Sequence, residues 1–405
     1  MRILIFSQYF WPESFPINEV ARNLKSVNNS LIVMTGQPNY PDGFIFDGYS
    51  GLSLSSEDYE GVTIFRVPVF PRGAGGAVRM ALNYLSFIFS GIFFGPWTLR
   101  NQSIDCILVY APSPILQAIP ALWLGWLKSA KVIVWVQDLW PESLIETGFI
   151  KNKFLIKLVT KLVACIYSCS DLLLAQSKAF IAPIKSLANN TPIIFHPQPG
   201  LLEFSRDAKS LPALKFKSVF NVVFAGNLGN VQSLDTVIEA ACLLRKQQDI
   251  RIVLIGSGSR LGWLREEVIR KGLSNVDTPG RFAANEMPAI LAQASVLLVS
   301  LSRGEAMSYT LPGKIQTYLA VGKPIIASLD GEGARVIEES GAGIACPAED
   351  SLALANAIIR AYRMPDVELN RMGLLGLEYY EKNFNPRVLV DKMMDILLSV
   401  VGRAN

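Results

Sequence analysis

Residues 222–245 read VVFAGNLGNVQSLDTVIEAACLLR, and this stretch decides the fold class. Val222 to Ala225 form a short apolar run, mostly β-branched or aromatic, which is the composition of a buried strand. Gly226, Asn227, Gly229 and Asn230 then break the run, and a helical pattern begins near Ser233. The order is strand, tight polar loop, helix N-terminus. Glycines let a backbone approach a ligand closely, and the free N–H groups and positive dipole end of a first helical turn favour an anion. The loop is therefore built to cradle a diphosphate, although ordinary βα turns share the pattern.

A second stretch, Leu311 to Ser328 (LPGKIQTYLAVGKPIIAS), strengthens the case. Pro312 and Gly313 open a helix, Gly322 closes it, and Pro324 leads into a strand at Ile325 to Ala327. Lys314 falls in the first helical turn, where the dipole opposes a cation. An anion bound at the same place makes sense of it; a solvated surface lysine is the plainer alternative.

Outward from these two stretches lie ILIFSQYFWPES (Ile3 to Ser14), GQPNYPDG (Gly36 to Gly43), WVQDLWPES (Trp135 to Ser143) and VLIGSGS (Val253 to Ser259). Together with FAGNLG and PGKIQTYLAVGKPI, they resemble the retaining nucleotide-sugar glycosyltransferases of the two-domain GT-B fold, family 4 type, which include bacterial lipopolysaccharide and capsule transferases. The NYP, DLWPE and YLAxGKP segments are similar to a subgroup containing L-fucosamine transferases of O-antigen clusters. The resemblance implies two Rossmann-like, doubly wound α/β domains facing across a cleft. It also implies transfer of a sugar from a nucleotide-sugar, a UDP-sugar such as UDP-N-acetyl-L-fucosamine, to a polyprenyl-diphosphate-linked glycan of O-antigen or capsule, with anomeric configuration retained. The family works without a divalent ion, and no Asp-x-Asp pair stands in this chain, so neither metal nor cofactor is expected.

Transfer needs stabilisation of the leaving diphosphate and a positioned hydroxyl. Gly226, Asn227, Gly229, Gln232, Ser233 and Lys314 are the diphosphate candidates. Gly256, Arg281, Gln316 and Thr317 are the nucleoside candidates. Family members carry an arginine and a lysine in the phosphate loop, where this chain has Asn227 and Val231 or Gln232; their two glutamates before YLA fall on Tyr309 and Thr317. In the first half, Asp138 and Glu142 follow a strand and are the candidate catalytic carboxylates, positioning the acceptor hydroxyl or the transferred sugar, with helix capping as the alternative. Glu13, Phe15, Asn18, Asn39 and Tyr40 are the acceptor candidates. His196 reads as structural.

Strands alternating with helices predict parallel sheets in both halves. The expected division is residues 1–198 for acceptor and membrane, 199–386 for the nucleotide-sugar, and 387–405 for a helix crossing back to the first domain, with an interdomain linker over 196–214. Charged residues make up 18% of the 405-residue chain, and they are unevenly spread: residues 1–200 hold 15 basic and 12 acidic, residues 201–405 hold 23 and 22. The first half is therefore expected to touch something apolar. Residues 80–99 carry no charge, long enough for a membrane span but interrupted by Asn83, Gly91, Gly95 and Pro96. Lys153, Lys157 and Lys161 recur on an otherwise apolar helical pattern over residues 153–168. Both segments predict monotopic membrane contact.

A net charge of +4 without a basic run argues against nucleic acid. The N-terminus reads as a first strand rather than a leader, which predicts a cytoplasmic protein on the inner membrane face. The five cysteines lack CxxC spacing and read as reduced core thiols. Two alternatives compete. A nicotinamide oxidoreductase draws on Gly256 and Gly258, but Leu261 stands where GxGxxG requires glycine. A non-catalytic nucleotide-sugar binder at the membrane draws on the missing basic pair and glutamates.

Overall fold

Strands of Val, Ile, Leu and Phe without polar alternation cannot leave a face in water, so they belong inside a sheet covered on both sides. The computed structural model describes residues 1–405 except 28–29, 75, 147, 149, 201–213, 217–219 and 403–405. It divides the chain into two units, Met1–Pro199 with Pro386–Asn405, and Gly200–Asn385. The linker expected over 196–214 falls largely on 201–213, outside the described residues.

In the first unit the strands are β1 (Arg2–Phe6), β2 (Ser30–Gly36), β3 (Ser55–Tyr59), β4 (Val62–Val67), β5 (Cys106–Ala111), β6 (Lys131–Val136), β7 (Leu172–Ala175) and β8 (Ile193–Phe195). They form one sheet in the order β3-β4-β2-β1-β5-β6-β7-β8, parallel except for β3 against β4. The parallel register sets Ile3 beside Leu31 on one side and Cys106 on the other. Helices α1 (Pro16–Ser26), α2 (Ala77–Thr98), α3 (Ala118–Lys128) and α4 (Lys153–Cys169) lie in the connections. The final helix, Pro386–Gly402, also belongs here: Val390, Met393 and Leu397 are buried in one core with Ile17, Leu24, Leu31 and Leu108.

In the second unit β9 (Phe220–Ala225), β10 (Ile250–Ile255), β11 (Val276–Gly280), β12 (Val296–Ser300), β13 (Ile325–Ser328) and β14 (Gly343–Cys346) form a six-stranded parallel sheet, order β11-β10-β9-β12-β13-β14. Helix α5 (Leu234–Leu243) follows β9, and α6 (Gly313–Val321) precedes β13. Separate apolar clusters cover the two faces, one around Val222, Phe224 and Leu254, the other around Val223, Ile315 and Leu319.

Among the described residues, α2 is long and apolar enough to span a membrane. Its buried side holds it to the sheet: Phe87 lies 5.4 Å from Phe6, and Asn83 is fully enclosed. Its other side is exposed, with Phe89, Phe93 and Trp97 56%, 71% and 59% accessible. Trp123 and Trp126 on α3, stacked at 5.2 Å, and Phe154, Leu155 and Leu158 on α4 are exposed as well. Lys153, Lys157 and Lys161 are exposed on the same helix α4. Two thiols depart from the core assignment: Cys165 and Cys169 are exposed on α4, because only Val163, Ile166 and Tyr167 of that helix are buried.

Truncating Met393, which is fully buried, leaves a cavity in the first unit's core. Met393→Ala should cost about 2–5 kcal/mol, read as a lowered melting temperature, whereas the exposed Leu398→Ala should leave the melting temperature within about a degree.

Candidate functional site

β9 and β10 run side by side with Ala225 opposite Ile255, so both chains leave the sheet at one level. There they turn through Gly226 (φ +138°) and Gly256 (φ +142°), backbone conformations that other residues rarely adopt. A Cβ on Gly256 would be driven into the carbonyl oxygen of Gly226, and one on Gly226 would lie 2.5 Å from Lys314 Cε. The loops are tied to the sheet by Gly226 N–H to Ile255 O (2.9 Å), Leu228 N–H to Ser257 O (2.8 Å) and Gly256 N–H to Gly280 O (2.8 Å). Helix α6 is pinned to β9 by Tyr318, whose hydroxyl accepts the Ala225 N–H at 2.8 Å and donates to the Ala225 carbonyl at 3.2 Å.

One turn before Tyr318, Lys314 lays its stem along Gly226 and holds Nζ 4.4 Å from the Phe224 ring centroid. Among the described residues no carboxylate pairs with it, and burial pulls its pKa down to about 8. A cation at a helix N-terminus, compensated only by an aromatic face, is a ready partner for an anion.

The other donor-side candidates separate by geometry. Gly229, Gln232 and Ser233 build the loop: the Gly229 N–H donates to Gln232 Oε1 at 3.0 Å, and the Ser233 hydroxyl shares a 2.8 Å hydrogen bond with Thr236. Asn227 is exposed at the loop's tip beside Gly229. Arg281 is exposed next to Gly280, whose carbonyl holds Gly256. Two positions beyond Lys314, Gln316 takes the opposite face of α6 and is 1% accessible, its amide nitrogen unpartnered among the described residues. Thr317 returns to the Lys314 side and is half-buried. Thus Thr317, not Gln316, accompanies Lys314.

In the first unit the loops after β1, β2, β4 and β6 meet at the carboxyl edge of the sheet. Glu13 is 3% accessible and its Oε1 accepts the N–H groups of Asn39 (2.8 Å) and Tyr40 (2.7 Å), so it clamps the NYP turn. Burial pushes its pKa up to about 7. Asn18 is spent within its own loop, accepting Trp11 N–H at 3.1 Å and donating to the Glu13 carbonyl at 2.6 Å. Asn39 donates to the Gln37 carbonyl at 3.0 Å and is likewise enclosed. Tyr40 is exposed, whereas Phe15 is half-buried and stacks on Tyr9 at 5.0 Å.

Asp138 leaves β6 with Oδ2 accepting Ser143 Oγ at 3.0 Å and Trp140 Nε1 at 3.2 Å. Burial raises its pKa to about 6, against the opposing pull of these donors. Glu142 opens the short helix Glu142–Glu146 and is half-buried. His196 is enclosed behind β6, its carbonyl accepting Trp135 Nε1 at 2.8 Å, and burial lowers its pKa to about 4, leaving a neutral ring.

The sequence alone does not single out Arg72, Tyr84, Phe224 or Tyr318. Tyr318 carried a signal, four positions after Lys314 on one helix face. Arg72 carried none: its guanidinium lies 5.0, 5.3 and 5.6 Å from the ring centroids of Tyr9, Tyr40 and Tyr84, which come from three other segments.

Residues 219–364, most of the second unit, match the family described as "Glycosyl transferases group 1". The structure of the Anabaena protein HepE in complex with UDP superposes with a TM-score of 0.68 at 12% identity, covering 98% of this chain and 100% of that one. The fold is GT-B. Two curated relatives extend the match into the first unit. A probable glycosyltransferase, WbjE, of Pseudomonas aeruginosa is 26% identical over 80% of this chain and 81% of its own length. A putative colanic acid biosynthesis glycosyl transferase, WcaI, of Escherichia coli K12 is 25% identical over 80% and 82%.

Lys314 sets a pH test. Its folded pKa, about 8, lies below the ordinary lysine value of 10.5, so holding the charged form costs stability below pH 8, and that cost disappears as pH rises toward 10.5. A bound diphosphate reverses the preference and favours the charged form. UDP affinity measured by titration calorimetry should therefore fall as pH rises above 8 in the parent chain and stay flat in Lys314→Met.

Proposed function

We propose that the chain is a retaining glycosyltransferase that moves a sugar from a UDP-sugar to a lipid-linked glycan of O-antigen, capsule or related polysaccharide at the cytoplasmic face of the membrane. The observation that carries this is the half-buried Lys314, without a carboxylate partner among the described residues, beside the Gly226 turn, with α6 presenting its N-terminus at the same spot. As the glycosidic bond to the donor breaks, negative charge grows on the diphosphate; Lys314 and the N-terminus of α6 offset it in a partly desolvated setting. No metal is assigned a role. Thr317 and Arg281 suit the nucleoside. The names of the relatives, WbjE and the colanic acid protein WcaI, support polysaccharide assembly, and the UDP in the HepE structure supports a uridine nucleotide. The NYP and DLWPE segments resemble a subgroup that includes L-fucosamine transferases, which makes UDP-N-acetyl-L-fucosamine one UDP-sugar to test.

Asp138 is assigned to orienting the acceptor hydroxyl or the transferred sugar, and Glu142 to supporting it. With a pKa of about 6, Asp138 is ionised at neutral pH and accepts a hydroxyl hydrogen bond. Front-face attack, in which a leaving phosphate oxygen takes the acceptor proton, needs no enzyme nucleophile.

A nucleotide panel tests the donor: UDP should raise the melting temperature and Lys314→Ala should remove most of that rise. A shift with NAD alone, or with no nucleotide, refutes the assignment. Asp138→Asn should lower kcat about 100-fold or more while UDP affinity stays within twofold; a variant of full activity removes Asp138 from the mechanism. A chain that binds UDP-sugars but releases no UDP in the presence of membrane extract would instead be a binder.

The exposed aromatic side chains of α2 and α3 and the lysines of α4 support membrane contact. Sedimentation with anionic phospholipid vesicles should retain the parent chain and lose Phe93→Asp/Trp126→Asp; equal retention of both proteins counts against that contact.

A further inference from the structure

Among the described residues, the arginines that are not exposed are Arg22, Arg66, Arg251, Arg260, Arg335 and Arg72. The first five are each ion-paired with a carboxylate: Glu19, Glu57, Asp277, Asp235 and Glu332 respectively. Arg72 has no carboxylate partner among the described residues. Its guanidinium instead rests against the rings of Tyr9, Tyr40 and Tyr84, donates from Nη2 to the Tyr9 hydroxyl, and reaches Asn83 Oδ1 from Nε at 3.4 Å. These contacts hold the planar fork in one orientation. Both Nη1 hydrogens remain without an acceptor among the described residues.

An oriented guanidinium with Nη1 free to donate and no paired carboxylate among the described residues suits a phosphate oxygen. Among the described residues, aromatic faces and two neutral oxygens stand where a carboxylate would otherwise compensate its charge. The surroundings specify more than an inorganic anion. Asn83 and Tyr84 belong to the first two turns of α2, and from there Leu82, Leu85, Phe89, Phe93 and Trp97 continue down the helix as an exposed apolar row at spacings of three and four residues. Two of the residues that hold Arg72, Asn83 and Tyr84, thus share one helix with the exposed apolar row.

We propose that Arg72, on its floor of Tyr9, Tyr40 and Tyr84, holds the phosphate or diphosphate of an amphiphile whose hydrocarbon chain lies along the exposed row of α2. This rests on the glycosyltransferase assignment only in taking the amphiphile to be the lipid-linked acceptor; the binding itself stands on the geometry. Arg72 is then a binding residue for the acceptor, distinct from the donor diphosphate site at Lys314.

The test is calorimetric titration of the full chain with farnesyl diphosphate below its micellar concentration, with inorganic diphosphate, and with farnesol. All proteins compared carry Lys314→Ala, so that an anion held in the second unit does not contribute. Farnesyl diphosphate should bind at least tenfold more tightly than inorganic diphosphate. Arg72→Gln, which keeps hydrogen-bonding capacity toward Tyr9 and Asn83, should weaken farnesyl diphosphate at least tenfold and leave farnesol unchanged. Arg72→Lys, retaining charge without the fork, should fall between. Phe89→Ser should weaken farnesyl diphosphate but not inorganic diphosphate. Farnesyl diphosphate binding within twofold of the parent in both Arg72 variants, at unchanged melting temperature, overturns the site. Inorganic diphosphate bound as tightly as farnesyl diphosphate overturns the amphiphile. UDP binding to the chain with Lys314 intact is read separately: loss of UDP binding alone removes the donor assignment and leaves Arg72 standing, and indifference to Arg72 with UDP bound does the reverse.

Discussion

In the second unit the backbones of Gly226 and Gly256 approach too closely for a side chain to stand between them, and the geometry around Lys314 depends on it. Neither position has room for a methyl group: residue 256 would collide with a carbonyl, and residue 226 with the stem of Lys314. Because β9 and β10 end in register, the two turns stack, and the N–H groups that would otherwise be left unsatisfied are spent on neighbouring strands. The Lys314 side chain then runs along Gly226 and over Phe224. Its position follows from absent Cβ atoms as much as from any attraction. The same packing explains why Gly256 and Gly258 do not act as a dinucleotide fingerprint: at Gly258 a side chain would meet Leu228 O and Asn227 Oδ1, so the loop is filled by its neighbour.

The first unit solves a different electrostatic problem. Its sheet edge gathers two carboxylates, Glu13 and Asp138, whose pKa values burial has raised to about 7 and about 6, close to an arginine that neither one neutralises. Glu13 is occupied by two backbone N–H groups and Asp138 by a serine and an indole. With the acids engaged by neutral donors, the guanidinium of Arg72 keeps its charge available. Such a division of acid and base costs stability relative to an ion pair, and sites that bind charged ligands carry that cost.

Most of the fold was legible because two-sided burial writes itself as uninterrupted apolar runs; β4, β7 and β12 fall on the residues that composition indicates. The strands that escaped were β3, whose SSEDY sequence is polar because it sits at the sheet's edge, and β8, three residues long between prolines. Of the site, Gly226, Gly229 and Lys314 were readable because glycine and a helix start carry local meaning. Gln316 and Thr317 were equivalent in sequence and are separated only by the helical turn that buries one of them. Asn18 reads as a ligand group but is consumed by its own loop. Arg72 was invisible since its partners lie 63 residues upstream at Tyr9, 11 downstream at Asn83, and on one more segment at Tyr40. A side-chain cage assembled from separate loops leaves no periodic trace.

The helix Pro386–Gly402 closes the core of the unit that the chain began, burying Val390, Met393 and Leu397 against residues near the N-terminus. During synthesis the first sheet must therefore wait, its α1 flank uncovered, until the ribosome has made the entire second unit and the helix after it. The second unit has no such dependence and can complete its sheet on the nascent chain. The waiting half is also the one with the exposed tryptophans and phenylalanines of α2 and α3, so translation next to a lipid surface, or a chaperone's hold on the unfinished first half, would shield the longest-lived apolar surface the protein presents.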